Sequence, residues 1–356
     1  MEPLLNSYEK INYSLRPGKS IERKMLCEAI KNLSFIQNVK NYRYIGFGST
    51  HFIDFSLIHR ALGIKDLISI EKDEPNANRF HFNNPFSCIS LLFGDANDIL
   101  PKIKWNKLSI VWLDYDNKIR KNIINPLTDS NMFADIGTFF VKAKPGSVFI
   151  ITVDVKPDHP EILIGNEKIK NPITEEELKK YRFDKLCERV GIEKIPVKYR
   201  DINLNKENNP IVIHKIIDNE IKEIIKRLNF GLLEEEKIDY NQLFHFLYDD
   251  GTLMLTVGGL IYNKEQNISV AKMQKHFEDL DFIKYGAEPF IIEYPQLTFK
   301  EIHLLDSFLP DRINEVTGVM TQDKKYKRNV PTLSVNDKIK YSKIYKYFPT
   351  FAETIF

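Results

Sequence analysis

The sequence is poor in cysteine, in long apolar runs and in net charge, and each shortage narrows what the chain can be. Only three cysteines occur in 356 residues (Cys27, Cys88 and Cys187), far apart and without a Cys-x-x-Cys pair. They cannot build a zinc knuckle or a disulfide framework, and an odd thiol count suits a reducing, cytoplasmic compartment. No apolar stretch approaches the roughly 18–20 residues that cross a bilayer. Met1 to Ser7 lack a basic segment followed by an apolar one, so neither a signal peptide nor a membrane partner is expected. Against 49 Asp and Glu stand 51 Lys and Arg, a net +2, which argues against a general polyanion binder.

What is present is a globular chain long enough for about two domains. Its 43 % hydrophobic and 28 % charged residues exclude disorder and collagen-like repeats. Ser20 is placed to cap a helix carrying Arg23, Leu26, Cys27, Ile30 and Leu33 at near-helical spacing. Residues 42–50 form a short apolar run that breaks into Gly46-Phe47-Gly48-Ser49, and a helix over 52–62 ends at Gly63. Strands follow at 67–70, ending in Glu71; at 89–93, ending in Gly94-Asp95; at 109–113, ending in Asp114; and at 147–153, ending in Asp154. Helical patterns separate them, so the expected class is α/β, a doubly wound, mostly parallel, Rossmann-like sheet.

The polar residues fall at the carboxyl ends of these strands, where open α/β sheets bind ligands. A glycine turn lets backbone amides approach a ligand, and the helix that follows favours negative charge there. Glu71 lies 23 residues after Gly48, an offset at which a carboxylate accepts both hydroxyls of a ribose. Asp95, next to the small Ala96, is placed to accept from an adenine amino group. The ordered set Gly46/Gly48, Glu71, Asp95 and Asp114 therefore points to a nucleoside-containing ligand. Gly-x-Gly-x-x-Gly is not met because Phe52 takes the last position, which weighs against a nicotinamide dinucleotide. Arg16-Pro17-Gly18-Lys19-Ser20 is not a P-loop, since Tyr13 stands where its first glycine is required.

Over residues 42–154 the chain resembles the core of class I S-adenosylmethionine-dependent methyltransferases, in an O-methyltransferase-like branch. The resemblance rests on Ile45-Gly46-Phe47-Gly48-Ser49, Glu71, Gly94-Asp95 and Leu113-Asp114. It implies a methyltransferase sheet that binds S-adenosylmethionine. Gly46, Phe47, Gly48 and Ser49 would line the methionine part, Glu71 would hold the ribose, and Asp95 and Ala96 the adenine. Asp114 and Asp116 are then the candidate catalytic residues, with Asp114 touching both cofactor and acceptor. Trp112-Leu113-Asp114-Tyr115-Asp116-Asn117 lacks the Asn/Asp-Pro-Pro-aromatic of nucleobase amino-methyltransferases, which favours O-directed transfer to an acceptor not named by the sequence. Asp114 with Asp154 is similar to the divalent-cation carboxylates of catechol-type enzymes, but Val155 replaces the expected Asn and weighs against a metal. Arg16 and Lys19 are candidates for clamping an anionic substrate or the cofactor carboxylate, and His51 follows the glycine turn.

Two other readings stay open. Tyr44, where the family carries an acid, and the short glycine motif suit a non-catalytic nucleotide-binding or assembly module. Nucleic-acid methylation is the other, because residues 311–348 carry nine Lys and Arg against four acids, interleaved with Tyr326, Tyr341, Tyr345 and Tyr347. The expected organisation is an N-terminal helix plus nucleotide-binding core (1–155), a mainly helical insertion for substrate or partner (156–250), closing strands (251–310) and a basic, loosely structured extension (311–356). The closing pair is expected at 252–262 and 289–294, and an oligomer is compatible with the insertion.

Overall fold

The computed structural model describes residues 16–125, 129–164, 167–170, 173–264, 270–310 and 333–349. Strands β1 (Arg43–Gly46), β2 (Leu67–Glu71), β3 (Ile89–Phe93), β4 (Ser109–Lys118) and β5 (Val148–Asp154) alternate with helices. These are α1 (Pro17–Lys31), α2 (Ile53–Leu62), α3 (Ala77–Asn83), α4 (Ala96–Ile99) and α5 (Met132–Lys142). After the hairpin β6 (Glu161–Ile164) and β7 (Glu167–Lys170) come α6 (Glu175–Val190) and α7 (Asn208–Leu228). Strands β8 (Ile238–Asp249), β9 (Leu253–Asn263) and β10 (Phe290–Ile292) complete the main sheet. Around them lie α8 (Val270–His276), α9 (Phe299–Asp306) and α10 (Val335–Ile344).

The eight strands run in the order β10-β8-β9-β5-β4-β1-β2-β3. All neighbours are parallel except β9, which is antiparallel to both β5 and β8. The chain starts in the middle, at β1, winds outward to β3, and returns to β4 on the other side. That reversal between β1 and β4 opens a crevice at the carboxyl ends of the two strands.

Period-two alternation of side chains explains why the central strands are apolar on both faces. Tyr44, Ile110, Trp112, Val148 and Ile150 enter one core with α1 and α2, where Met25, Leu26 and Phe55 meet them. Ile45, Val111, Leu113, Phe149 and Ile151 enter the other with α5 and α7, against Ile136, Phe139, Ile213 and Ile217. Each such side chain is buried, worth roughly 1.5–3 kcal/mol relative to leaving it in water.

Several expectations change in the folded chain. Ser20 does not cap the first helix, which begins a turn earlier at Pro17 without a side-chain cap of its own. The Asp250 carboxylate, on the β8–β9 turn, accepts from the amides of Gly18 and Lys19 at 2.9 Å each. The closing antiparallel pair is β8 with β9, so the last twelve-residue strand of the expected helical insertion belongs to the sheet. The 290–292 strand lies parallel at the edge instead. Thr174 with Glu177 and Thr298 with Glu301, each three residues apart at a helix start, form capping boxes.

Part of the C-terminal extension is also more ordered than expected. Within its described part, α10 packs Tyr341 and Ile344 inward, Tyr341 donates to Asp306 at 2.7 Å, and Tyr347 meets Phe282 edge-on. Two of the tail's tyrosines are thus core residues. Lys338 is buried as well, whereas Arg312, Lys324, Lys325, Tyr326, Lys327 and Arg328 lie outside the described residues.

Candidate active site

The glycine turn after β1 is built around a close approach. A Cβ on residue 48 would lie 2.3 Å from Ser69 Oγ and 2.8 Å from Glu71 Oε1, so any other residue would have to displace these side chains. Without that Cβ, the Gly48 amide donates to Glu71 Oε1 at 2.9 Å. The Ser69 hydroxyl donates to the same oxygen at 2.5 Å. Ser49 and Phe52 both take positive φ (52° and 47°), a backbone strain concentrated in this turn. Burial pushes the Glu71 carboxyl up to about 7, with the bonds from Ser69 and Gly48 opposing the rise.

Strand β4 supplies the other wall. Asp114 pairs with Thr152 of β5, but the next aligned pair is Lys118 with Asp154, so β4 spends extra residues over that interval. Past that last regular pair the strand carries Tyr115, Asp116 and Asn117, which line the crevice together with Asp114. Tyr115 packs edge-on against Phe47, ring centres 5.1 Å apart, and its hydroxyl donates to the buried Asp135. Burial pushes the Asp135 carboxyl up to about 7.

Between these walls lies a cavity of about 250 Å³. Of the residues expected at a site, Phe47, Gly48, Ser49, Glu71, Ala96, Asp114 and Asp116 line it together. Gly46, Asp95, Arg16, Lys19 and His51 are not in its lining. Asp95 was expected to face an adenine, but its carboxylate has other work. Oδ1 accepts the Asn97 amide and caps α4, while Oδ2 meets the Lys72 ammonium at 2.9 Å and the Ser130 hydroxyl at 3.0 Å.

Arg16 and Lys19 do not form an anion clamp, because carboxylates already hold them. Arg16 lies 3.9 Å from Asp250. Lys19 is 1 % exposed, with its ammonium 2.7 Å from Asp114 Oδ1, 2.8 Å from Glu22 Oε2 and 4.4 Å from the centre of the Trp112 ring. Burial works against its charge, yet Asp114 and Glu22 outweigh that and hold its pKa above the usual lysine value. Glu22 is fixed in turn by a chain of donors. The Trp112 indole N–H donates to Thr152 Oγ1 at 3.0 Å, Thr152 and Thr256 bond at 2.8 Å, and Thr256 donates to Glu22. Since the single hydroxyl proton of Thr256 goes to Glu22, Thr152 is the donor of that pair.

The sequence reading missed Glu22, the Arg23–Asp54 ion pair in the cavity wall, and Asp250. Arg16, Lys19 and Arg23 recur at helical spacing, which was visible. The decisive signal was the company they keep: the same helix buries Ile21, Met25, Leu26 and Ile30, so its charges could not all be solvated.

The residues do not fit a divalent cation at Asp114 and Asp154. Each carboxylate already carries a lysine, Lys19 on Asp114 and Lys118 at 3.6 Å from Asp154, and Asp154 also accepts the Lys156 amide. Among the described residues no group of three or more His, Cys, Asp or Glu converges for a metal. They do fit an adenosyl group, with a carboxylate at the end of β2, a turn stripped of Cβ beside it, and small Ala96 in the same wall.

Over residues 11–356 the chain matches the model of a family described as "Putative O-methyltransferase". It belongs to that family. With the sheet order, this places the chain among the class I S-adenosylmethionine-dependent methyltransferases. It is similar in structure to the O-methyltransferase from Bacillus cereus in complex with SAH, at 14 % identity over 71 % of this chain and 85 % of that one, TM-score 0.37. It is similar to the O-methyltransferase TomG from Streptomyces achromogenes, in complex with SAM, at 14 % identity, 65 % and 78 % coverage and TM-score 0.30. Spermidine synthase from Thermotoga maritima is similar at 10 % identity, 82 % and 72 % coverage and TM-score 0.34. No curated protein matches the chain. Among the described residues of this family member, no helix is long and apolar enough to cross a membrane.

Proposed function

We propose that this chain transfers the methyl group of S-adenosylmethionine to a hydroxyl oxygen of an acceptor oriented by Asp114. One observation carries the reading: Gly48, Glu71 and Asp114 share the wall of a single cavity at the carboxyl ends of the central strands. When bound, the cofactor supplies an electrophilic methyl group on a sulfonium. The turn at Gly48 and Ser49 would hold it, with the Glu71 carboxylate accepting from its ribose hydroxyls. Asp95, occupied by Lys72, Ser130 and the α4 amide, is left out of that role.

Methyl transfer is a displacement, and the protein's main contribution is to set the two partners in line. Asp114 accepts the hydrogen bond of the acceptor hydroxyl and takes up its proton as the oxygen loses it. The remaining charged groups of the wall favour a neutral acceptor: Arg23 is neutralised by Asp54 and Lys72 by Asp95, and Glu71, Asp114 and Asp116 repel carboxylates. Calorimetry with S-adenosylmethionine tests the reading. Binding that is lost in Glu71→Ala supports it, and no heat at millimolar ligand removes it. Retained cofactor binding in Asp114→Asn, together with loss of methyl transfer to a pool of hydroxylated acceptors, assigns Asp114 to the acceptor side.

A further inference from the structure

We propose that Lys19 is a positioning residue for methyl transfer, a resident cation that holds Asp114 for the acceptor and fills the place a divalent ion would otherwise take. The proposal rests on the reading of Asp114 given above. Two carboxylate oxygens, from Asp114 and Glu22, converge on one buried point, where their charges need a cation between them. The Lys19 ammonium sits at that point, 2.7 and 2.8 Å from them. The face of Trp112 covers it at 4.4 Å, adding a cation–π contact in a site closed to water.

Nothing in the packing of α1 calls for a charge here. The helix buries Ile21, Met25 and Leu26 beside Lys19, and an apolar side chain would fill the same space without three desolvated ions. The arrangement instead suits a function of Asp114. Lys19 takes Oδ1, while Asp114 itself lines the cavity that Lys19 does not reach. The ammonium therefore acts on the acceptor only through the carboxylate it fixes.

Its own position is fixed from three directions. Asp250 holds the Lys19 amide at the start of α1, and Glu22 holds the ammonium. The Trp112–Thr152–Thr256 chain holds Glu22 from strands β4, β5 and β9. The Arg23–Asp54 pair, with Arg23 one residue beyond Glu22 on α1, borders the same cavity. Such a frame costs no reorganisation when charge develops on the acceptor oxygen.

The test uses Mn²⁺ as the probe, followed by electron paramagnetic resonance on the full chain with and without S-adenosylhomocysteine. Wild type and Lys19→Arg are expected to bind no Mn²⁺ that depends on Asp114. Lys19→Met is expected to gain a bound Mn²⁺, with affinity at least about tenfold above wild type, and to lose it again on adding Asp114→Asn. A folded Lys19→Met chain without that gain overturns the proposal. If Lys19→Met does not fold, wild type decides against Asp114→Asn, which leaves the Lys19–Glu22 pair balanced. Mn²⁺ bound by wild type and lost in Asp114→Asn overturns the proposal, as does wild-type methyl transfer to a pool of hydroxylated acceptors by a folded Lys19→Met chain; a fall in kcat at unchanged KM for S-adenosylmethionine, recovered in Lys19→Arg, supports it. Calorimetry with S-adenosylhomocysteine on the same samples separates the two readings. Absent cofactor binding refutes the methyltransferase reading, whereas retained binding with Asp114-dependent Mn²⁺ refutes the role of Lys19 alone.

Discussion

Replacing Glu71 by Gln separates what this carboxylate costs the empty protein from what it gives the cofactor. Its folded pKa is pushed up from 4.5 to about 7 by burial. The folded chain therefore keeps a proton on Glu71 that the unfolded chain releases above about pH 4.5. The stabilisation tied to that proton is fully present below the unfolded value. It falls by about 1.4 kcal/mol per pH unit as pH rises, and is lost above the folded value. From pH 4.5 to about 7, wild type gives up on the order of 3 kcal/mol through this group. Glutamine does not titrate, and its amide oxygen can still accept from Gly48 and Ser69. Urea unfolding of wild type and Glu71→Gln from pH 5 to 8 is thus expected to show a stability difference that grows in favour of the variant. Cofactor binding moves the opposite way. Ribose hydroxyls need the ionised carboxylate, so wild-type affinity for S-adenosylhomocysteine is expected to rise about tenfold from pH 6 to 8, and the variant's affinity to be low and flat. A stability difference that stays constant to within about 0.5 kcal/mol across this range would refute the assignment of a perturbed carboxyl to Glu71.

Three further outcomes follow from the same geometry. Gly48→Ala forces a Cβ into Ser69 Oγ at 2.3 Å and should cost about 1–3 kcal/mol in urea unfolding, with cofactor affinity falling in the same variant. Asp250→Ala removes the acceptor of two amides at the start of α1, and a stability loss of about 1–2 kcal/mol is expected. Asp250→Asn, which keeps one acceptor oxygen, should recover part of it. Tyr341→Ala empties a site that is 1 % exposed in the described part of the extension, with an expected loss of about 3–5 kcal/mol; wild-type stability in that variant would show that the extension is not part of the core.

The α/β alternation, the central strands and the glycine turn could be read directly because their signals are local. Apolar runs of strand length, a glycine turn and caps such as Thr174 with Glu177 need only a few neighbouring residues to recognise. Strand β8 escaped that reading for a local reason too. Its pairing with β9 is irregular between Gln242 and Phe244, so Leu243 and Phe244 enter the same core and the two-residue alternation is broken. The bulge in β4 similarly extends that strand past Asp114, where the fall in hydrophobicity suggested an end.

From its own residues the chain declared an α/β sheet, a crevice at the carboxyl ends of its strands, and a glycine turn and Glu71 as two residues of that crevice. These rest on short-range periodicity and on a spacing of 23 residues. The partners of the charges were decided only by the tertiary structure. Lys19 meets Asp114 across 95 residues of chain, and Asp250 meets the Lys19 amide across 231. No local pattern encodes such contacts, because they depend on β9 entering the sheet beside β5 and on α1 lying against that face. Once the helix was buried there, its lysine and glutamate had to find opposite charges, and the carboxylate beside the cavity was one of them.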